Sequence, residues 1–312
     1  MDRRTFLKSA AVGAAALPGF ASAANDADDM PVIDTHVHLW DLKQFKLPWL
    51  KPDAPFARDF LIEDYLRATE GCHVVKGVYM EVDVDATQKQ AEADWIRTVC
   101  KEGKTPIVAA VIGGNPAAEG FGDYAKQFKG DAYVKGIRQV LHGPTTPKGY
   151  CLERPFVQSI RLLGELGLSF DLCMRHPELS DAVKLTKECP DTRFILDHCG
   201  NPDVQAKDRS AWQRDLETLA KNRNVICKIS GILSSAKKGE WTPEQLASIV
   251  NHCLDSFGPE RVIFAADWPV CTSAGTFKQW LNALKIITKE RKAEERKTFF
   301  HDNAVKFYQL QG

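Results

Sequence analysis

Eight short apolar runs rich in β-branched residues recur along the chain, at 32–39, 74–82, 107–112, 134–141, 168–174, 193–196, 225–229 and 262–266. Polar or helix-patterned sequence follows each of them. From one run's first residue to the next, the intervals are 42, 33, 27, 34, 25, 32 and 37 residues, each close to one strand plus a returning helix. The runs are apolar on both faces, as parallel strands covered by helices are. Between them the helical period is plain. Thr242-Pro243-Glu244-Gln245 has the form of a capping box with proline in the first turn; Leu246, Ile249, Val250, Cys253, Leu254 and Phe257 then share one face, and Gly258 follows as a stop. Eight such units predict a single-domain (β/α)8 TIM barrel. A doubly wound open sheet is the competitor, but it calls for a glycine-rich turn after its first strand, and none follows 32–39. The long stretch 41–58, with Phe45, Trp49 and Phe56, reads as a packed surface loop, or else as a lid over the mouth.

The first residues stand outside this scheme. Asp2-Arg3-Arg4-Thr5-Phe6-Leu7-Lys8 places an arginine pair before an alanine-rich apolar run, and Ala21-Ser22-Ala23 offers small residues to a signal peptidase. The pattern is similar to a twin-arginine export signal over 1–23. It predicts an exported, periplasmic protein whose barrel occupies 24–312. The apolar run is too short to span a bilayer, which takes roughly 20 apolar residues, so no stable membrane insertion is expected after cleavage.

Composition narrows the partners. The chain has 41 basic and 41 acidic side chains in 312 residues, which leaves no charge excess for nucleic acid and points to a small-molecule substrate. The nine cysteines are an odd number, with no C-x-x-C pair, and several lie inside apolar runs. They read as buried free thiols, with a disulfide or a cysteine ligand as the lesser alternatives.

In a barrel of this kind the chemistry collects at the carboxyl ends of the strands. Those ends carry Asp34-Thr35-His36-Val37-His38, Met80-Glu81-Val82-Asp83, Gly136-Ile137-Arg138, Met174-Arg175-His176, Leu196-Asp197-His198, Cys227-Lys228-Ile229-Ser230 and Ala266-Asp267-Trp268-Pro269. Strand alternation places Asp34 with His36 and His38, aligns His198 with Phe194 and Leu196, and aligns Asp267 with Ile263 and Ala265. Imidazoles and a carboxylate meeting at one rim suit a first-row divalent cation with a position left for water. Glu81 is read evenly as a solvated loop carboxylate or a site residue, and Lys228 as a possible ion-pair partner. The planar fork of Arg138 suits a carboxylate, whether of the protein or of a substrate. His73, His142, His252 and His301 read as surface or packing residues.

Taken in order, these motifs, with Val134-Lys135-Gly136-Ile137-Arg138, Lys228-Ile229-Ser230-Gly231 and Asp302-Asn303-Ala304, make the chain resemble the amidohydrolase superfamily. Within it, the chain is similar to the lactonase-like branch that includes L-fuconolactonase and 2-pyrone-4,6-dicarboxylate lactonase. The resemblance implies that His36, His38, His176 and Asp267 hold one divalent metal, zinc foremost. It also implies that His198 polarises a substrate carbonyl and that Asp267 handles the proton; Arg138, Glu81 and Lys228, read from the strand ends themselves, are the candidate substrate-binding residues. No lysine of suitable parity ends the fourth run, so a two-metal centre is not expected, and some members of the branch work without metal. The implied reaction is hydrolysis of the lactone ring of a sugar acid or related cyclic ester. Non-oxidative decarboxylation of an aromatic or unsaturated acid is the alternative, and a non-catalytic sugar-acid-binding barrel a second one.

Overall fold

The structure is a computed structural model that describes residues 30–144 and 146–311. The export-signal reading of 1–23 lies outside the described residues. Eight parallel strands run in chain order around one sheet. They are β1 (Val32–Val37), β2 (Val74–Met80), β3 (Ile107–Gly113), β4 (Val134–Val140), β5 (Ser169–Cys173), β6 (Arg193–Leu196), β7 (Val225–Ile229) and β8 (Val262–Phe264). The helices are α1 (Ile62–Thr69), α2 (Lys89–Glu102), α3 (Phe121–Lys126), α4 (Arg154–Glu165), α5 (Leu179–Glu188), α6 (Ser210–Ala220), α7 (Pro243–Phe257), α8 (Phe277–Ile287), α9 (Ala293–Lys297) and α10 (Asn303–Tyr308). This is the (β/α)8 barrel that the apolar runs predict. Helix α7 begins at the Thr242 capping box and buries the six apolar residues of its predicted face, with Gly258 at its end. Among the described residues no helix is long and apolar enough to cross a membrane.

The core has two compartments. A large one lies between the sheet and the helices. A smaller one, with Ile33, Val78, Met80, Ala109, Val111, Ile195, Ile226 and Ile263, fills the lower barrel interior, where Tyr308 and Leu310 at the C-terminal end of α10 close it. Above that apolar floor the interior is ionic: Arg138, Asp171, Asp197 and Lys228 are all buried. All nine cysteines are buried free thiols.

The barrel is closed between β1 and β8 largely by side chains. His38 N donates to Trp268 O at 2.8 Å, Thr35 Oγ1 to Phe264 O at 2.7 Å, and Ala266 N to Asp34 Oδ1 at 2.8 Å. This closure corrects one expectation of strand parity. The β1 register shifts between Asp34 and Val37, so Asp34 does not share the face of His36. It turns instead to the seam, where it also accepts a hydrogen bond from Tyr65 Oη of α1 at 3.1 Å.

Candidate active site

The bulge in β1 brings two imidazoles of one strand together. His36 Nε2 lies 3.1 Å from His38 Nε2, and Asp267 Oδ1 lies 3.5 Å from the first nitrogen and 3.3 Å from the second. His38 Nδ1 is 3.0 Å from Met80 O. A carbonyl only accepts, so Nδ1 carries the hydrogen and the Nε2 lone pair of His38 faces the triangle. His36 is fully buried, and burial first, then the nearby Lys228 ammonium, holds its imidazole well below the usual histidine range, so it is neutral. The His38 lone pair, His36 Nε2 and a carboxylate oxygen of Asp267 thus converge within 3.5 Å of one another. Ligand atoms about 2.0–2.2 Å from a tetrahedral cation stand about 3.4 Å apart, so the triangle fits a divalent ion. His198 adjoins it: its ligand atom lies within 4.8 Å of those of His36 and Asp267, and its Nδ1 is 2.9 Å from Ser230 Oγ. Burial is the largest influence on His198 and lowers its pKa, against the pull of the Asp267 and Asp197 carboxylates.

Backbone conformation seats these groups. Strand β6 stops at Leu196, and the turn Asp197–Gly200 carries His198 at φ 53 and Cys199 at φ 56, while Asp267 sits at φ 59 after β8. Left-handed conformations are uncommon for residues with a Cβ and gather at functional sites. Position 197, not 196, therefore faces the interior, which corrects the expectation that His198 lies on one face with Phe194 and Leu196. Both of those belong to the outer core.

Beneath the imidazoles lies a layer of fixed charge. Lys228 Nζ is 2.8 Å from Asp171 Oδ2, 2.9 Å from Asp197 Oδ1 and 3.4 Å from His36 Nδ1. Arg138 Nε donates to Glu81 Oε1 at 2.6 Å and Nη2 to Glu81 O at 2.9 Å. Its Nη1 lies 3.2 Å from His36 Nε2 and 3.4 Å from Asp197 Oδ2. Burial would raise the Asp197 carboxyl, but Lys228 and His36 beside it hold it well below the usual carboxylate range. A second possible ligand group, Cys173, Asp197 and His198, is already served by a protein cation. Arg138 Nη1 stands 4.0 Å from Cys173 Sγ as well as close to Asp197.

Of the site residues expected from sequence, His36, His38, His198 and Asp267 come together at the rim. Glu81, Arg138 and Lys228 join them in the ionic layer, where their charges are met by one another and by Asp171 and Asp197. His176 stands apart. It opens the turn His176–Glu178, is partly exposed, and belongs to neither ligand group among the described residues. The inward parity of β5 runs through Asp171 and Cys173, and the strand ends there. His198, not His176, joins His36 and Asp267 in a possible ligand group. Sequence reasoning missed Asp171, Asp197 and Ser230, whose signal is inward parity on β5, β6 and β7.

Comparison with known proteins gives the family and the fold. The amidohydrolase family model matches residues 33–310. The uncharacterized protein y4mH of Sinorhizobium fredii is 31% identical over 306 residues, covering 90% of this chain and 99% of that protein. An L-fucono-1,5-lactonase of Burkholderia multivorans is 25% identical over 293 residues, covering 89% and 96%. The crystal structure of an amidohydrolase from Burkholderia multivorans with bound zinc shares the fold, with TM-score 0.79 at 22% identity over 90% of this chain and 100% of that one. The chain belongs to the amidohydrolase family. It is a hydrolase built on a (β/α)8 barrel.

Proposed function

We propose that the protein hydrolyses the lactone ring of a sugar acid or related cyclic ester. The observation that carries this reading is the meeting of His36, His38 and Asp267 within 3.1–3.5 Å, with His198 beside them. Relatives that carry the name L-fucono-1,5-lactonase support the substrate class. The triangle suits one divalent ion, zinc foremost, held by His36, His38 and Asp267 with His198 adjacent. Such an ion supplies Lewis acidity toward a carbonyl and lowers the pKa of water.

The residues' own parts follow from their chemistry. Asp267 takes a proton from a water as that water's oxygen bonds to the lactone carbonyl carbon. His198 faces the carbonyl oxygen and stabilises the charge that develops on it. The ring C–O bond then breaks, and Asp267 returns the proton to the leaving alkoxide. The ionic layer holds His36 in place from below and takes no proton.

The test is a panel of sugar lactones and aromatic acids offered to the purified protein, with products weighed by mass spectrometry. Gain of one water identifies lactone opening; loss of CO2 identifies decarboxylation instead, and tight binding without turnover a binding barrel. Asp267→Asn keeps a residue type that tolerates the left-handed backbone. It is expected to lower kcat/KM by about 10²–10⁴. Near-parental rates in that variant would overturn the role of Asp267. Elemental analysis of dialysed, active protein with well under one equivalent of any transition metal would remove the metal from the reading.

A further inference from the structure

At the end of the barrel opposite the catalytic rim, where β6, β7 and β8 begin, a cavity of about 280 Å3 is lined by Arg193, Arg223, Arg261 and Lys306, with Phe307 and Glu260. Three strand entries each bring one arginine there: Arg193 is the first residue of β6, Arg223 precedes β7 and Arg261 precedes β8. Lys306 comes from α10. The chain as a whole is charge-balanced, with 41 basic and 41 acidic groups, so this excess is local.

Backbone carbonyls aim two of the arginines without neutralising them. Arg193 Nη1 donates to Phe307 O at 2.6 Å and Nη2 to Gly167 O at 2.9 Å. Arg261 Nη1 donates to Asn222 O and Val225 O, and Nη2 to Ala220 O at 2.9 Å. These two have a structural task. Arg223 and Lys306 have none: Arg223 is exposed and makes no hydrogen bond or ion pair among the described residues, and Lys306 stands 4.0 Å from Glu260, both 76% exposed. Glu260 is the one acid among the lining residues. The arginines repel one another: after burial, Arg223 is the next cause that lowers the Arg261 guanidinium from its ordinary value.

From this geometry we infer that the cavity is a binding site for a small multivalent oxyanion, of phosphate or polycarboxylate chemistry, separate from the catalytic rim. The Arg223 guanidinium, uncommitted to the protein, presents paired donors that match such oxygens, while Arg193, Arg261 and Lys306 add positive charge around it. The volume lies just below the usual range of small-molecule pockets, about 300–1,000 Å3, so a compact di- or trianion fits and an extended ligand does not. The site shares α10 with the floor of the ionic layer. Tyr308, two residues after Lys306, is buried and lies within electrostatic reach of Lys228 and Asp171. The inference does not depend on the lactone reading.

Isothermal titration of the full chain with pyrophosphate and, separately, with citrate tests it, with acetate as the monovalent control. Saturable binding of at least one multivalent anion is expected, weakening as sodium chloride is raised, and the preferred anion tells phosphate from carboxylate chemistry. The double variant Arg223→Gln/Lys306→Gln removes only exposed side chains and is expected to bind about tenfold more weakly or worse at unchanged Tm. Asp267→Asn is expected to bind like the parent. Absence of binding by both anions, equal binding by the double variant, or loss of binding in Asp267→Asn would overturn the proposal, the last by moving the anion to the catalytic rim.

Discussion

Gly231 has no side chain because the His198 imidazole occupies the place where one would sit. A Cβ there would lie 2.5 Å from His198 Cγ, and the backbone is at φ +67. Gly231→Ala must push the ring off Ser230, so kcat/KM is expected to fall about 10²-fold or more, the usual effect of losing one oxyanion donor. Steady-state kinetics beside a Tm measurement check this; near-parental kcat/KM in a folded variant would remove His198 from the chemistry. Glu92 makes a different demand at the same scale. It is buried on α2, where Oε1 accepts hydrogen bonds from Tyr79 Oη at 2.8 Å and Val82 N at 2.9 Å, while Oε2 has no hydrogen-bond partner among the described residues. Burial first, then the Glu81 carboxylate, raises its pKa from 4.5 to about 7. Between those values the folded state keeps a proton that the unfolded chain releases. Its contribution is therefore full below 4.5 and is lost as pH rises through about 7, a span worth about 3 kcal/mol. Glu92→Gln stays neutral throughout. Its stability relative to the parent is expected to improve steadily from about pH 5 to about pH 8 in urea unfolding, and a flat or reversed trend would contradict the assignment.

Among the elements, strands and helices were legible from sequence because burial alone sets their pattern: the eight apolar runs and the capped face of α7 need no knowledge of neighbours. The direction of single side chains was legible only where alternation runs unbroken, as from Ile226 to Lys228 in β7. It failed in β1, where the seam with β8 draws Asp34 outward and forces a bulge. In β6 the strand ends early and a left-handed turn, not parity, returns His198 to the site. Both departures come from tertiary contacts that spacing does not contain. Lys228 was legible as an ion-pairing residue, whereas its partner Asp171 lies mid-strand, where inward parity is the one signal that marks it. Their pairing predicts a large effect. Lys228→Met leaves Asp171 buried without its cation and Asp197 with Arg138 alone, and breaking a buried pair from one side costs about 3–5 kcal/mol. Urea unfolding is expected to show that loss near neutral pH and a smaller one in acid, where protonation relieves the carboxylates. A loss under about 1 kcal/mol, typical of an exposed pair, would contradict the pairing.

At the scale of the whole molecule, closure of the barrel and assembly of the site are one event. The last turn of the sheet is held by the Asp34 carboxylate, which accepts from Ala266 N at 2.8 Å, His36 N at 3.2 Å and Tyr65 Oη at 3.1 Å. Two of those donors adjoin the chemistry, since Ala266 precedes Asp267 in β8's extension and His36 is itself a rim residue. Asp34→Ala strands buried N–H groups at about 1–3 kcal/mol each, so Tm and kcat/KM are expected to fall together even though Asp34 touches no substrate. Asp34→Asn keeps one carbonyl oxygen for the Ala266 and His36 amides, and Tyr65 can accept from the new amide instead of donating. It is therefore expected to retain most of both properties. The two variants side by side separate a seam that needs an acceptor from a seam that needs a charge. If Asp34→Ala matched the parent in Tm and turnover, the rim would be held by its strands alone, and the Asp34 seam would have no part in aligning His36 with Asp267.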